Sequence, residues 1–404
     1  MPPPHIQIQQ QLEHHHRVTL TQSERIPCCR PLLPTADAVW PYLQEIDHNR
    51  WYSNFGPLVE QFEARLADHF GVQPTHVATV ANATLGLSVA LRYLAEKPGG
   101  LCLMPSWTFP ATPHAAISAG LEPCFVDVDA DSWATTPEIV AQALATIDGE
   151  VAAVVVVAPF GAPVDIEAWE QFQTSSELAV IIDAAAGFDS ARIGRIPTVV
   201  SLHATKIFGV GEGGCVVSTD RRLTEEIRRR SNFGFFEARH ATVASTNAKL
   251  SEYHAAVGLA GFDDWSERRK TCMRSASLYA QSLRVLGGAR FQPGWGSEWV
   301  SNTAMLAVDG ADVRRLSVEL HKEGIEAQRW WGDGCLRHRA FAHCGHTDLI
   351  NTERLANSVV GLPFFADMTE DTVRHVTQTV KDVVRRIRAS RREPASGARI
   401  EGLQ

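Results

Sequence analysis

One lysine of this chain stands in an unusual setting. There are only six lysines (Lys97, Lys206, Lys249, Lys270, Lys322 and Lys381), so 32 of the 38 basic residues are arginines. Lys206 closes Ser201-Leu202-His203-Ala204-Thr205-Lys206 and precedes the glycine-rich turn Gly209-Val210-Gly211-Glu212-Gly213-Gly214. It thus lies between an apolar segment and a turn, not on a polar helix face. A lysine amine can condense with an aldehyde, and desolvation lowers its pKa toward that role, whereas an ordinary loop lysine stays solvated and charged.

Three other stretches carry groups that chemistry could use. In Val80-Ala81-Asn82-Ala83-Thr84 a strand gives way to small residues and a hydroxyl ahead of a helix over 85–95. The free N–H groups of a helix start form an anion site, although an ordinary N-cap would read the same way. In Pro105-Ser106-Trp107-Thr108-Phe109-Pro110 an aromatic held between prolines can stack on a planar ring or pack on the core. Asp183 closes the apolar strand 178–182, and a carboxylate there needs a cation or a donor as partner.

An anion cradle, a stacking aromatic, a carboxylate and a lysine are together the parts needed to hold pyridoxal phosphate. The carboxylate keeps the pyridine nitrogen protonated, and the lysine binds the aldehyde. Gly209, Gly211 and Gly214 also match the dinucleotide pattern GxGxxG. That pattern needs a preceding strand and a following helix, whereas these glycines lead straight into the strand-like Cys215-Val216-Val217, so nicotinamide and flavin are discounted.

The elements that must position these residues alternate. A helix is signalled from Pro57, with Val59, Phe62, Leu66 and Phe70 on one face and Gly71 as its stop. Short apolar strands follow at 77–80, 101–104, 123–128, 152–157 and 179–182, each succeeded by a loop and a helical pattern. This predicts an α/β fold with a mostly parallel central sheet and helices on both faces, and ligands collect beyond the carboxyl ends of such strands. From 263 the character changes to a helical connector, a strand near 302–308 and a final amphipathic helix capped by Thr369. The expected division is a lead-in over 1–30, a large domain over 31–262, a smaller α+β domain over 263–388 and a tail over 389–404.

Several ordered blocks resemble the DegT/StrS-type sugar aminotransferases, within the aspartate-aminotransferase-like fold (type I) of pyridoxal-phosphate enzymes. SLHATKIFGVGEGG over 201–214 looks like that family's Schiff-base segment. PSWTFPAT with PCFVDVD over 123–129 looks like its aromatic-loop region, and NFG at 232–234, NAKLSE at 247–252 and Leu362-Pro363 resemble later blocks. The resemblance runs from about residue 31 to about residue 384. It implies that Lys206 is the Schiff-base lysine and proton carrier, that Asp183 pairs with the pyridine nitrogen, and that Trp107 lies against the ring. It also implies that Ala83, Thr84 and Ser201 hold the phosphate, with Asn247 of a neighbouring subunit completing the site in a homodimer. One departure is visible: where the family has His or Gln three residues after the aspartate, this chain has Ala186.

The implied activity is transamination, with glutamate as amino donor and the keto group of a nucleotide-linked sugar as acceptor. The rivals are a non-catalytic pyridoxal-phosphate-binding relative and an aminotransferase acting on a free keto sugar or cyclitol. Net charge is −8, which argues against nucleic-acid binding through bulk charge. The most apolar stretch, 151–164, is interrupted by Pro159, Gly161 and Pro163 and is too short to span a bilayer. With no apolar leader at the N-terminus and no CxxC pair, the expectation is a cytoplasmic protein with reduced thiols and no membrane partner. His338, His343, Cys344 and His346 are dense, but a single cysteine without a second ligand pair predicts no metal.

Overall fold

The computed structural model describes residues 25–95, 98–236 and 238–392. The expected lead-in up to residue 24 and the tail beyond Arg392 lie outside the described residues. The strands are β1 (Val77–Val80), β2 (Leu101–Pro105), β3 (Glu122–Val126), β4 (Val151–Val157), β5 (Ala179–Asp183), β6 (Thr198–Ser201) and β7 (Gly214–Val217). They continue with β8 (Phe235–Phe236), β9 (Ala238–Ala241), β10 (Ala289–Arg290), β11 (Ala304–Val308), β12 (Gly345–His346) and β13 (Val359–Leu362).

Eight strands form the central sheet in the order β1-β7-β6-β5-β4-β2-β3-β12. Only β7 runs antiparallel to its neighbours, β1 and β6. Strands β4 and β5 are buried almost throughout, as strands covered on both faces must be, which explains their uninterrupted Val and Ile runs. The fold is therefore the mostly parallel α/β architecture expected. A second, antiparallel sheet, β10-β11-β13, lies with the helices Val313–Lys322 and Glu370–Arg392.

The helix Pro57–Phe70 begins at its proline and stops at Gly71 (φ 67°), as the sequence predicts. Its N-cap, Gly56, has no side chain to offer. The Glu252 carboxylate replaces it by accepting from Leu58 N (2.8 Å) and Val59 N (3.0 Å). Glu252 opens a single unbroken helix, Glu252–Leu283, which runs through the position where the sequence puts the domain division. The last helix, Glu370–Arg392, is capped by Thr369, whose Oγ1 accepts from Thr372 N at 3.2 Å.

Strand β3 ends two residues before its expected limit. Asp127 turns away to cap the helix Ile350–Ser358, accepting from Asn351 N, Thr352 N and Thr352 Oγ1, each at 2.8 Å. Among the described residues, no helix is long and apolar enough to cross a membrane, and no group of three or more metal-ligating side chains occurs.

Candidate active site

The site forms where β1, β5, β6 and β7 meet. In the register, Gly214 lies opposite both Val80 and Ser201, so the start of β7 sits between the ends of β1 and β6. A Cβ on Gly214 would come within 2.8 Å of Ala83 N, so the helix start and the strand approach as closely as they do only because residue 214 is glycine. This brings Ser201 to the same sheet end as Ala83 and Thr84. The helix Ala83–Leu94 is capped by Asn82, whose Oδ1 accepts from Leu85 N at 2.9 Å. Asn82 is thus the cap, and it leaves the N–H groups of Ala83 and Thr84 outside the cap.

Lys206 sits in the turn that joins β6 to β7. The turn is closed by Leu202 N to Gly213 O (2.9 Å), Ala204 N to Gly211 O (2.8 Å) and Lys206 N to His203 O (2.9 Å). The glycines lead directly into β7, so the dinucleotide pattern lacks its helix. Burial pushes the Lys206 ammonium below the usual lysine range, while the charges of Asp183 and Cys29 oppose that shift. No hydrogen bond holds the Lys206 amine among the described residues.

Asp183 ends β5 and is 5% exposed. Its Oδ2 accepts from the Thr112 hydroxyl at 2.8 Å and its Oδ1 from Ala185 N at 3.1 Å. Burial raises its pKa, whereas these two donors and the charge of Lys206 lower it. Thr112 Oγ1 is also 2.8 Å from Thr108 Oγ1, so a line of hydroxyls ties Asp183 to the loop that carries Trp107. Trp107 is 2% exposed, and its indole N–H has no partner among the described residues.

Asn247 precedes Ala248, whose carbonyl accepts from Ala81 N at 2.7 Å. Asn247 itself is exposed, accepts from Lys249 Nζ at 2.7 Å and makes no hydrogen bond to the other expected site residues. Thr112 and Cys29 are additions that the sequence did not disclose. Thr112 bonds a residue 71 positions away, which no local pattern reports. Cys29 reaches the site because its segment is fixed to the second sheet, through Phe364 N to Cys28 O (3.1 Å) and Cys28 N to Glu326 (3.1 Å).

The donor set fits pyridoxal phosphate. Free helix N–H groups and hydroxyls lie at one sheet end, a buried carboxylate backed by two donors at the end of β5, and a half-buried lysine within electrostatic reach of that carboxylate.

The family model of the DegT/DnrJ/EryC1/StrS aminotransferases matches residues 36–381. The chain belongs to this family. It is a pyridoxal-phosphate-dependent aminotransferase. Among DegT/DnrJ/EryC1/StrS relatives, the Mycobacterium tuberculosis protein Rv3402c is 32% identical over 372 residues, covering 89% of this chain and 90% of that protein. The dTDP-4-amino-4,6-dideoxy-D-glucose transaminase of Shigella dysenteriae is 28% identical, covering 88% of this chain and 98% of that enzyme. The crystal structure of DesI, determined in the presence of its TDP-sugar product, is 31% identical and superposes with a TM-score of 0.81 over 92% of this chain and 96% of that one.

Proposed function

We propose that this aminotransferase moves an amino group from glutamate to the keto group of a nucleotide-linked sugar. The name of the Shigella transaminase and the TDP-sugar product of DesI support a nucleotide sugar as acceptor. The observation that carries the reading is Lys206 within electrostatic reach of Asp183, in the turn that leaves the sheet end holding Ala83, Thr84 and Ser201.

When bound, pyridoxal phosphate supplies an electron sink that stabilises negative charge at the substrate carbon. Asp183, its carboxylate oriented by its Thr112 and Ala185 donors, would hold a proton on the ring nitrogen. Lys206, its pKa lowered by burial, takes and returns the proton at the substrate carbon as general base and acid. The Ala83 and Thr84 N–H groups and the Thr84 and Ser201 hydroxyls bind the phosphate, and Trp107 confines the ring. Asn247 serves the neighbouring subunit of a homodimer located in the cytoplasm. Residues 31–262 act as the cofactor-binding unit and 263–388 as the smaller one.

The test is to incubate the purified protein with glutamate and a panel of nucleotide-linked and free keto sugars, and to identify the product by mass. An aminated nucleotide sugar from the wild type and none from Lys206→Ala is the expected result. Full turnover by Lys206→Ala would sink the proposal. Absence of any spectral change with glutamate would favour a relative that binds the cofactor without turning over.

A further inference from the structure

The aromatic residues around Trp107 form an arrangement that cofactor binding does not require. The rings of Phe160 and Trp331 are stacked, with centroids 3.7 Å apart and planes at 20°. Trp107 meets both edge-on, at 5.5 Å from Trp331 (78°) and 6.3 Å from Phe160 (74°). Trp107 and Phe160 are buried at 2% and 5% exposure, whereas Trp331 is only half-buried. Trp331 is therefore the member of the trio with surface left for a ligand.

Its position is strongly determined. Cys335 N donates to Ser106 O (2.7 Å), Leu336 N to Ser106 Oγ (3.1 Å) and the Cys335 thiol to Thr108 O (3.2 Å), which fastens the loop after Trp331 to the loop bearing Trp107. Before it, the Arg329 guanidinium is committed to Ala356 O (2.9 Å), Gly332 O (3.0 Å) and the Asp333 carboxylate. On the other side of the stack, Phe160 has φ 53°, a conformation that a bulky residue rarely adopts. It is held there by Gly161 (φ 93°), where a Cβ would come within 2.5 Å of Ala186 O. Such backbone strain persists where the surroundings over-determine it, and it clusters at ligand-holding sites.

Resting on the proposed transamination, we infer that Trp331, backed by Phe160, is the acceptor-side wall of the site and sets which keto substrate is aminated. A flat, polarisable indole face suits the C–H face of a sugar ring. It does not suit a small dicarboxylate donor, which needs cations, and the nearby Arg329 is already engaged. The ligand class is thus a pyranose carrying the keto group, with its C–H face against Trp331.

The two half-reactions separate the roles. In holoenzyme, the spectral change of the bound cofactor is followed after mixing with glutamate. It is followed in the reverse direction with dTDP-4-amino-4,6-dideoxy-D-glucose, or with the product of whichever sugar the wild type aminates best. Trp331→Ala should slow the sugar half-reaction about tenfold more than the glutamate half-reaction. Trp331→Phe, which keeps a ring on Phe160, should show the same selective loss at smaller size, and it serves as the test if Trp331→Ala does not fold. Equal slowing of both halves, or of neither, would overturn the inference while leaving the transamination reading intact. A wild type that aminates no sugar would overturn that reading and this inference with it.

Discussion

The Thr112 hydroxyl donates to Asp183 Oδ2 at 2.8 Å, joining the first turn of a short helix to the end of β5 across 71 residues. That donor offsets part of the rise that burial imposes on the pKa of this carboxylate. Thr112→Val removes it at nearly constant volume and leaves Asp183 with Ala185 N as its remaining donor. Activity should fall about tenfold, the cost of one hydrogen bond to a buried charge, while Thr112→Ser should stay near wild type. Steady-state kcat and the affinity for pyridoxal phosphate, measured side by side, check this.

Asn247 is exposed on the free chain, with Lys249 as its hydrogen-bond partner. If it serves a neighbouring subunit, the protein sediments at twice its chain mass of 44.3 kDa. Asn247→Asp then sets a negative charge beside the phosphate and should weaken pyridoxal-phosphate binding about tenfold. A monomer by sedimentation, or unchanged affinity in a cofactor titration, would contradict the assignment.

His69 is half-buried against an aromatic cluster. Its Nε2 lies 2.7 Å from Phe188 O and its ring stacks on Phe188 at 4.2 Å. Burial holds its pKa below the ordinary 6.5. Unfolded His69 therefore binds its proton at higher pH than folded His69. Its stabilising contribution is complete above pH 6.5 and is lost as pH falls through that value toward the lowered folded pKa. The melting temperature should drop between pH 7.5 and 5.5, and His69→Gln, which does not titrate, should reduce that drop.

Glu252 closes the start of the helix Pro57–Phe70 by accepting from two of its N–H groups. Glu252→Ala leaves both donors buried and unpaired and should cost about 2 kcal/mol. Glu252→Gln keeps one acceptor oxygen and should cost less. Urea unfolding followed by circular dichroism distinguishes the two.

The parallel strands were legible because burial on both faces requires the unbroken apolar runs seen in β4 and β5. Strand β12 was not. It is two residues long and pairs with β3 at the sheet edge, so His343-Cys344-Gly345-His346 carries no strand pattern. At the site, Lys206 and Asp183 were readable because each is a polar residue set in an apolar context. Thr112 and Phe160 were not, since one acts through a distant partner and the other through a backbone angle that its residue type does not foretell. Trp330-Trp331 suggested either a pocket or core packing, and only the stack on Phe160 separates Trp331 from an ordinary core residue.

The helix Glu252–Leu283, 32 residues without a break, is a rod of about 48 Å. Its first residue caps a helix beside the central sheet, and near its far end the Tyr279 hydroxyl donates to Pro363 O (2.7 Å), just after β13 of the second sheet. A rod anchored at both ends resists hinge bending between the two sheets. With the loops around Phe160 and Trp331 also fastened in place, the enzyme should change shape little between its empty and loaded states.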